Sequence, residues 1–598
     1  MLEQLLPAGP IFVREALTAP RRLRHYLLRS GYVACLLVLM YSIRQATIGF
    51  QDVQFSGDIA SFSNLAFQVF ALLQMTLGMF FATLFTAANV AQEKDRRTLI
   101  LLLMTDMRNR ELTYGKLLAS LLIVAVLIAA SIPVFCTLRL LGGVTWGQVF
   151  WTEALIAAAS LAAGSWGCLV AFWREKTFQT LAISVLGVVL AVAFVEGLAI
   201  VAGTSSNIGS WIALASPYRQ LGHILNPLST TTSGPVSVSA LPSVAILLAT
   251  ALGLSLFTVA RLRVWNPSQS LRQSAMESPE NSASDAAGEA VSVPRVTKVT
   301  RHRHVWNNPV VWKEVVTRGY GKRMLWIKLA YVLLAVLIGY GVISSGGNST
   351  DSLVLGMVSP ATAAFLGISL ISLLLANAQA VTSITTERDW KTLDILLATD
   401  LNAREFMTGK IVGALWNARE MVLLPMLLVV WMLIRGTNAS LTLENSVYLI
   451  VTYFVLSLFA VMLGLHAGLT YENSRSAIAN SLGTMFFLFI GIFIFMLLLV
   501  EARSSFAVQM QSFIVFIGLG SIGLYSSLTH KNPSSALTMA AALLPFLTFY
   551  AITEFLMAGS LGVCLAICFA YGFATIAMLI PSISDFDVAL GRTTNDAG

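Results

Sequence analysis

Residues 93–116 read EKDRRTLILLLMTDMRNRELTYGK, and residues 387–410 read ERDWKTLDILLATDLNAREFMTGK. The two stretches align without a gap at an offset of 387 − 93 = 294, and twelve of their twenty-four positions are identical. Glu93, Asp95, Thr98, Leu99, Leu102, Leu103, Thr105, Asp106, Arg110, Glu111, Gly115 and Lys116 recur as Glu387, Asp389, Thr392, Leu393, Leu396, Leu397, Thr399, Asp400, Arg404, Glu405, Gly409 and Lys410. A match of this quality marks a duplicated unit. A shorter echo supports it, since PIFVRE at 10–15 parallels PVVWKE at 309–314. Each half therefore reads as a leading helix, a first apolar run, a loop, a second apolar run, the charged loop, and the rest.

The apolar runs around these loops decide the solvent. Of 598 residues, 56% are hydrophobic and only 11% are charged, and mean hydropathy is +0.76. An ordinary soluble domain carries roughly 25% charged residues. A soluble enzyme, a disordered chain and a secreted disulfide scaffold are thus disfavoured, and an all-α polytopic membrane protein is expected. The five cysteines lie in apolar runs without metal-ligand spacing, so neither a disulfide framework nor a metal site is expected. The net charge of +8 fits basic loops that set membrane orientation better than it fits a nucleic-acid partner.

Six apolar runs fall in the first half, near 28–48, 64–91, 117–141, 149–173, 178–203 and 241–262. The second half repeats them near 325–345, 356–383, 410–435, 446–470, 477–500 and 556–580, with two further runs at 509–528 and 535–553. The last two either cross the membrane or are re-entrant, so the expected count is twelve spans, or fourteen. The expected architecture is two tandem six-span bundles related by a pseudo-two-fold axis along the membrane normal. Residues 1–263 form the first half and 306–598 the second. Residues 264–305, rich in Ser, Ala and charge, read as a disordered linker.

Lys and Arg cluster in loops 92–116 and 174–177 and after the sixth run, whereas loop 49–63 carries Asp52 and Asp58 and no base. The positive-inside rule places the repeated loops and both termini in the cytoplasm. Arg14, Arg21, Arg22, Arg24 and Arg29 precede the first run without a convincing cleavage site, so a cleaved signal peptide is not expected. Residues 10–27 are expected to form an amphipathic helix at the interface.

Within the repeated loop, Leu99, Leu102 and Leu103, like Leu393, Leu396 and Leu397, occupy one stripe of a short helix. Acids and bases occupy its other face. Asp106 and Asp400 can cap the helix that follows, and Lys116 and Lys410 sit where the next run begins. A simple interfacial tether would account for one such loop. Two equal copies suit docking onto a partner with two equivalent grooves.

The pattern Glu, Thr-Leu-x-x-Leu-Leu, Arg-Glu and Gly-Lys between runs two and three resembles the ABC type-2 transporter permease family, and NNPVVWKE at 307–314 resembles its leading helix. The resemblance covers both halves outside the linker. It implies an exporter permease whose loop helices contact an ATP-binding-cassette ATPase subunit, needed in two copies, with the lipid bilayer as surroundings. It assigns partner coupling to Glu93, Asp95, Thr98, Leu99, Leu102, Leu103, Asp106, Arg110, Glu111 and Lys116, and to Glu387, Asp389, Thr392, Leu393, Leu396, Leu397, Asp400, Arg404, Glu405 and Lys410. The charged members would form ion pairs with the partner, and the leucine stripe would fill its groove. Where the family usually has Gly before Thr-Leu this chain has Arg97 and Lys391, and where it usually has Pro after the second Thr it has Asp106 and Asp400.

No GxxxxGK[ST] phosphate loop is present, so ATP is expected on the partner and no cofactor on this chain. Catalytic residues are not expected. Glu153, Glu196, Arg419, Glu420, Glu554 and His466 fall within apolar runs, where an ionisable group is a functional candidate or a packing partner. Arg419 and Glu420 are adjacent and are not expected to face each other on a helix. Pro133 and Pro425 lie midway through the third run of their halves and are candidate hinges. A six-plus-six plan also describes ion- or proton-coupled secondary transporters, and a non-transporting membrane scaffold is a third class.

Overall fold

The computed structural model describes residues 9–18, 23–48, 56–105, 107–174, 176–202, 211–212, 214–225, 240–266, 306–316, 324–344, 360–397, 401–435, 441–501, 506–530, 534–556 and 559–589. Among them the regular elements are helices, without a strand. This follows from burial in hydrocarbon, where backbone polar groups need partners within their own segment.

The first half comprises α1 (Gly9–Thr18), α2 (Leu23–Thr47), α3 (Ser56–Asp95), α4 (Thr98–Met104), α5 (Asn109–Leu141), α6 (Trp146–Trp173), α7 (Thr177–Ala202), α8 (Pro217–Leu225) and α9 (Leu241–Trp265). The second comprises α10 (Pro309–Val316), α11 (Met324–Ser344), α12 (Pro360–Asp389), α13 (Thr392–Leu397), α14 (Ala403–Asn417), α15 (Arg419–Arg435), α16 (Leu443–Thr470), α17 (Ser474–Glu501), α18 (Phe506–Leu528), α19 (Ser535–Leu556) and α20 (Ser560–Ala589). Of residues 10–27, 10–18 lie in α1 and 23–27 in α2, and 19–22 lie outside the described residues. Most of the linker, 267–305, and Asp106 and Asp400 lie outside the described residues.

Eleven of these helices are long and apolar enough to cross a membrane, and the bent pair α14–α15 makes a twelfth. The remaining apolar helices, α11 and α18, have 21 and 23 residues. At ~1.5 Å per residue each exceeds the ~30 Å hydrocarbon core. The same holds for α19 with 22 residues, so by length α18 and α19 fit crossing helices rather than re-entrant ones. The halves are therefore unequal. The first has six such helices, while the second adds the α18–α19 hairpin before its last helix.

The halves grip each other reciprocally. The first two long helices of each half pack on the fifth of the other, so α2 and α3 meet α17, and α11 and α12 meet α7. Phe80 of α3 stacks on Phe486 of α17 at 4.0 Å between centroids. The largest apolar core is shared, taking Leu84, Ala88, Phe178 and Leu186 from the first half into the interior of the second. In both halves a glycine lets the fourth helix press against the second. A Cβ on Gly167 would lie 2.7 Å from the Thr83 carbonyl oxygen, and one on Gly464 would lie 2.7 Å from that of Asn377.

The candidate hinges are placed differently from expectation. α5 runs unbroken through Pro133. The third run of the second half bends by 57° at Ala418, seven residues ahead of Pro425. Pro425 acts locally instead. Lacking an N–H, it leaves the carbonyl of Met421, four residues back, without its helical donor. Ser372 Oγ at 2.7 Å and Tyr331 Oη at 3.3 Å donate to that oxygen.

Candidate functional site: the duplicated loop

The two loops fold alike. α3 and α12 each end on an aspartate, two residues turn the chain, and a short helix follows, α4 in one half and α13 in the other. The turn ends on a residue in the left-handed region, Arg97 at φ 57° and Lys391 at φ 58°. Among the described residues these are the non-glycine positions with positive φ. Glycine adopts this conformation without the Cβ penalty, which is the physical reason for a glycine at this point of the motif.

The first and last residues of the motif find each other. Glu93 pairs with Lys116, and Glu387 pairs with Lys410 at 2.9 Å. Lys410 is only 1% exposed, and Glu314 of α10 holds it from the other side at 2.7 Å. Lys313 reaches Glu387 at 2.7 Å, so two bases and two acids balance at the base of the second loop. In the first half, Arg14 and Glu15 of α1 pair with one another instead. Removing one partner of a pair so enclosed leaves an uncompensated charge, at a cost of roughly 3–5 kcal/mol.

The next residues fasten the loop to its neighbours. Lys94 donates to the carbonyl oxygens of Phe172 and, at 2.9 Å, Arg174 at the end of α6. Its counterpart Arg388 donates to those of Gly468, at 3.0 Å, and Tyr471 at the end of α16. Such carbonyls lack intrahelical donors and carry the negative end of the helix dipole. Asp95 accepts from the hydroxyl of Thr177, the first residue of α7, and Asp389 from that of Ser474, the first residue of α17. Thr98 Oγ1 donates to the Glu93 carbonyl at 3.2 Å, and Thr392 Oγ1 to that of Glu387 at 3.0 Å. Glu111 accepts from the Arg108 amide at 3.1 Å and Glu405 from the Asn402 amide at 3.4 Å, each acid reaching back to the residue that precedes α5 or α14.

Glu93, Asp95, Glu111 and Lys116, with Glu387, Asp389, Glu405 and Lys410, are engaged inside the protein. The leucine stripe also faces inward. Leu99 is buried, Leu102 and Leu103 pack against the core formed by α3, α5 and α6, and Leu393 and Leu396 pack against the core of the second half. The outer face of the first loop is made of Leu101 and Met104, 64% and 67% exposed, with Arg97, Thr98, Arg108 and Arg110 around them. On the second loop Trp390, Lys391, Asn402, Arg404 and Thr408 are exposed among the described residues. The side chain of Leu397 is outside the described residues.

The two loops lie at the same end of the molecule and touch. Arg96 of the first is 3.6 Å from Asp389 of the second. The position equivalent to Arg96 is Trp390, so this ion pair has no counterpart across the duplication. Sequence reasoning missed this pair, the carbonyl contacts of Lys94 and Arg388, and the hydroxyl contacts of Asp95 and Asp389. A signal for the last existed, since Thr177 and Ser474 recur at an offset of 297, three residues more than the loops.

Of the ionisable residues in apolar runs, Glu196 pairs with Arg219 of α8 at 2.6 Å, and Glu420 pairs with Lys328 of α11 at 2.6 Å. Arg419 does contact Glu420, at 3.2 Å, contrary to expectation. The pair begins α15 directly after the break, where Arg419 also lies over the Trp416 ring. His466 is buried between Ser582 and the Leu528 carbonyl that ends α18, and Glu554 accepts from Tyr550.

Residues 29–260 match the family model described as ABC-2 family transporter protein. The resemblance read from the repeated loop is thus borne out over most of the first half, and the match supports a membrane transporter permease. No curated protein matches the chain.

Proposed function

We propose that this chain is the membrane-spanning permease subunit of an ATP-binding-cassette exporter, and that two copies of a separate ATPase subunit dock on the two loops. The chain would reside in the cytoplasmic membrane with its loops and both termini in the cytoplasm, the side favoured by their Lys and Arg content. ATP would be bound and hydrolysed on the partner.

The observation that carries this reading is the matched fastening of the loops. Each short helix is tied to the helix before it by a threonine. The end of that preceding helix, directly ahead of the short one, is bound to the helix that follows the loop by a Glu–Lys pair and to the fourth and fifth long helices through a base and an aspartate. A force applied to the exposed face would move four or five helices together rather than bend a loop. Closure of the ATPase pair would then rock the halves across their reciprocal interface, a rigid-body mechanism.

The outer face, not the buried stripe, carries the docking. Leu101→Asp with Met104→Asp places charge on the exposed side of α4. Recovery of the ATPase subunit in co-purification should fall at least about tenfold, the scale of a hot-spot loss, while the melting temperature of the permease is unchanged. Leu102→Asp, on the inner side, should lower the melting temperature. Undiminished ATPase recovery with the first variant would refute docking at this face.

A further inference from the structure

Inside the first half, side chains from two helices converge on a carboxylate of a third. Glu153 of α6 accepts hydrogen bonds from Ser131 Oγ of α5 at 3.1 Å and Gln74 Nε2 of α3 at 3.2 Å. Gln74 Nε2 also donates to Ser131 Oγ at 2.8 Å. Gln74 and Ser131 are buried and Glu153 is half-buried, and all three helices are long enough to span the membrane. Whereas Glu196 and Glu420 each have a basic partner, no lysine or arginine pairs with Glu153 among the described residues. Its ionisable neighbour on α2 is Tyr32. An ionised carboxylate at this depth without a countercharge is costly.

The Gln74 amide occupies the place of the missing cation. Its nitrogen sits between a carboxylate oxygen and a hydroxyl, as an ammonium group would, while its Oε1 is buried without a hydrogen-bond partner. Turning the amide about its last torsion would aim Oε1 at the same point. A carboxylate, a hydroxyl and an amide oxygen would then converge, a hard oxygen set suited to a small monovalent cation. The fold itself does not require this cluster. The equivalent positions in the second half are Ile368 and Pro425 at the offset of 294 and Ile450 at the offset of 297.

We propose that Glu153, Gln74 and Ser131 form a monovalent-cation site within the first bundle, taking an alkali-metal ion or the ammonium group of a transported molecule. The site does not depend on ATPase docking and is tested without the partner. Purified full-length chain in lipid nanodiscs is melted in sodium, potassium, methylammonium or N-methylglucamine chloride at fixed pH and ionic strength. A saturable rise in melting temperature with a small cation, absent with bulky N-methylglucamine, is expected. Glu153→Gln should abolish it. Gln74→Met, which keeps the chain length and the acid, should weaken apparent affinity about tenfold. A rise with sodium or potassium identifies a metal-ion site, and a rise with methylammonium alone identifies an ammonium site. Absence of a saturable rise with all three small cations, or a rise unchanged in both variants, would overturn the proposal.

Discussion

At Arg97 and Lys391 the backbone is left-handed although neither residue favours it. The departure from glycine was visible in the sequence, and both halves depart together. Its meaning was not, because composition does not report φ. Arg97→Gly and Lys391→Gly should each stabilise the protein by up to about 1 kcal/mol, as relief of the Cβ clash outweighs the added freedom of the unfolded chain. Arg97→Ile should do the reverse, a β-branched residue being worse still in this region. Thermal melts in detergent decide, and a loss of stability in the glycine variants would contradict the strain argument. Glu93, Asp95 and Lys116, with Glu387, Asp389 and Lys410, were legible as important but not as bonded within the chain. Glu93 and Lys116 lie twenty-three positions apart, and only the antiparallel course of α3 and α5 brings them together.

For the helices, periodicity located nearly every element, including the short helix of each loop. A stripe at i, i+3, i+4 defines a face without naming what it packs against. Leu99, Leu102 and Leu103 looked equally suited to a partner's groove and to the chain's own core. Pro425 marked a perturbed helix correctly and misplaced the bend, since Ser372 and Tyr331 satisfy the carbonyl it frees. The close crossings at Gly167 and Gly464 make a paired prediction. Valine at either position would meet backbone as well as side-chain atoms of the second helix, at a cost of roughly 1–3 kcal/mol. Both variants should lower the melting temperature and the monodisperse fraction on size exclusion. Gly253→Val, where a Cβ meets nothing within 4 Å, should leave both unchanged. Equal behaviour of all three would remove the packing argument.

Across the whole molecule, membrane embedding was readable because it is a statement about composition, and the repeated loop because it is a statement about pattern. The inequality of the halves was readable only in part. The two extra apolar runs stood out, but hydropathy does not separate a crossing helix from a re-entrant one. Their uninterrupted 23 and 22 residues, as helices, favour crossing. The reciprocal grip of α2 and α3 on α17, and of α11 and α12 on α7, should hold the halves together without the linker. A chain cut by a protease at a site inserted near residue 280 should yield two fragments that co-elute in mild detergent. Separation of the fragments would show that the covalent connection holds the halves together.

The contact between Arg96 and Asp389 has a consequence for how such a chain can diverge. A homodimer must carry any residue on its axis twice, so a bridge on one side is repeated on the other. Here one gene encodes both sides, and the position opposite Arg96 is Trp390. Within one chain, neither loop has to copy the other. One corner of the seam holds an ion pair that ionic strength weakens, and the other carries an exposed indole, so the two corners respond differently to salt.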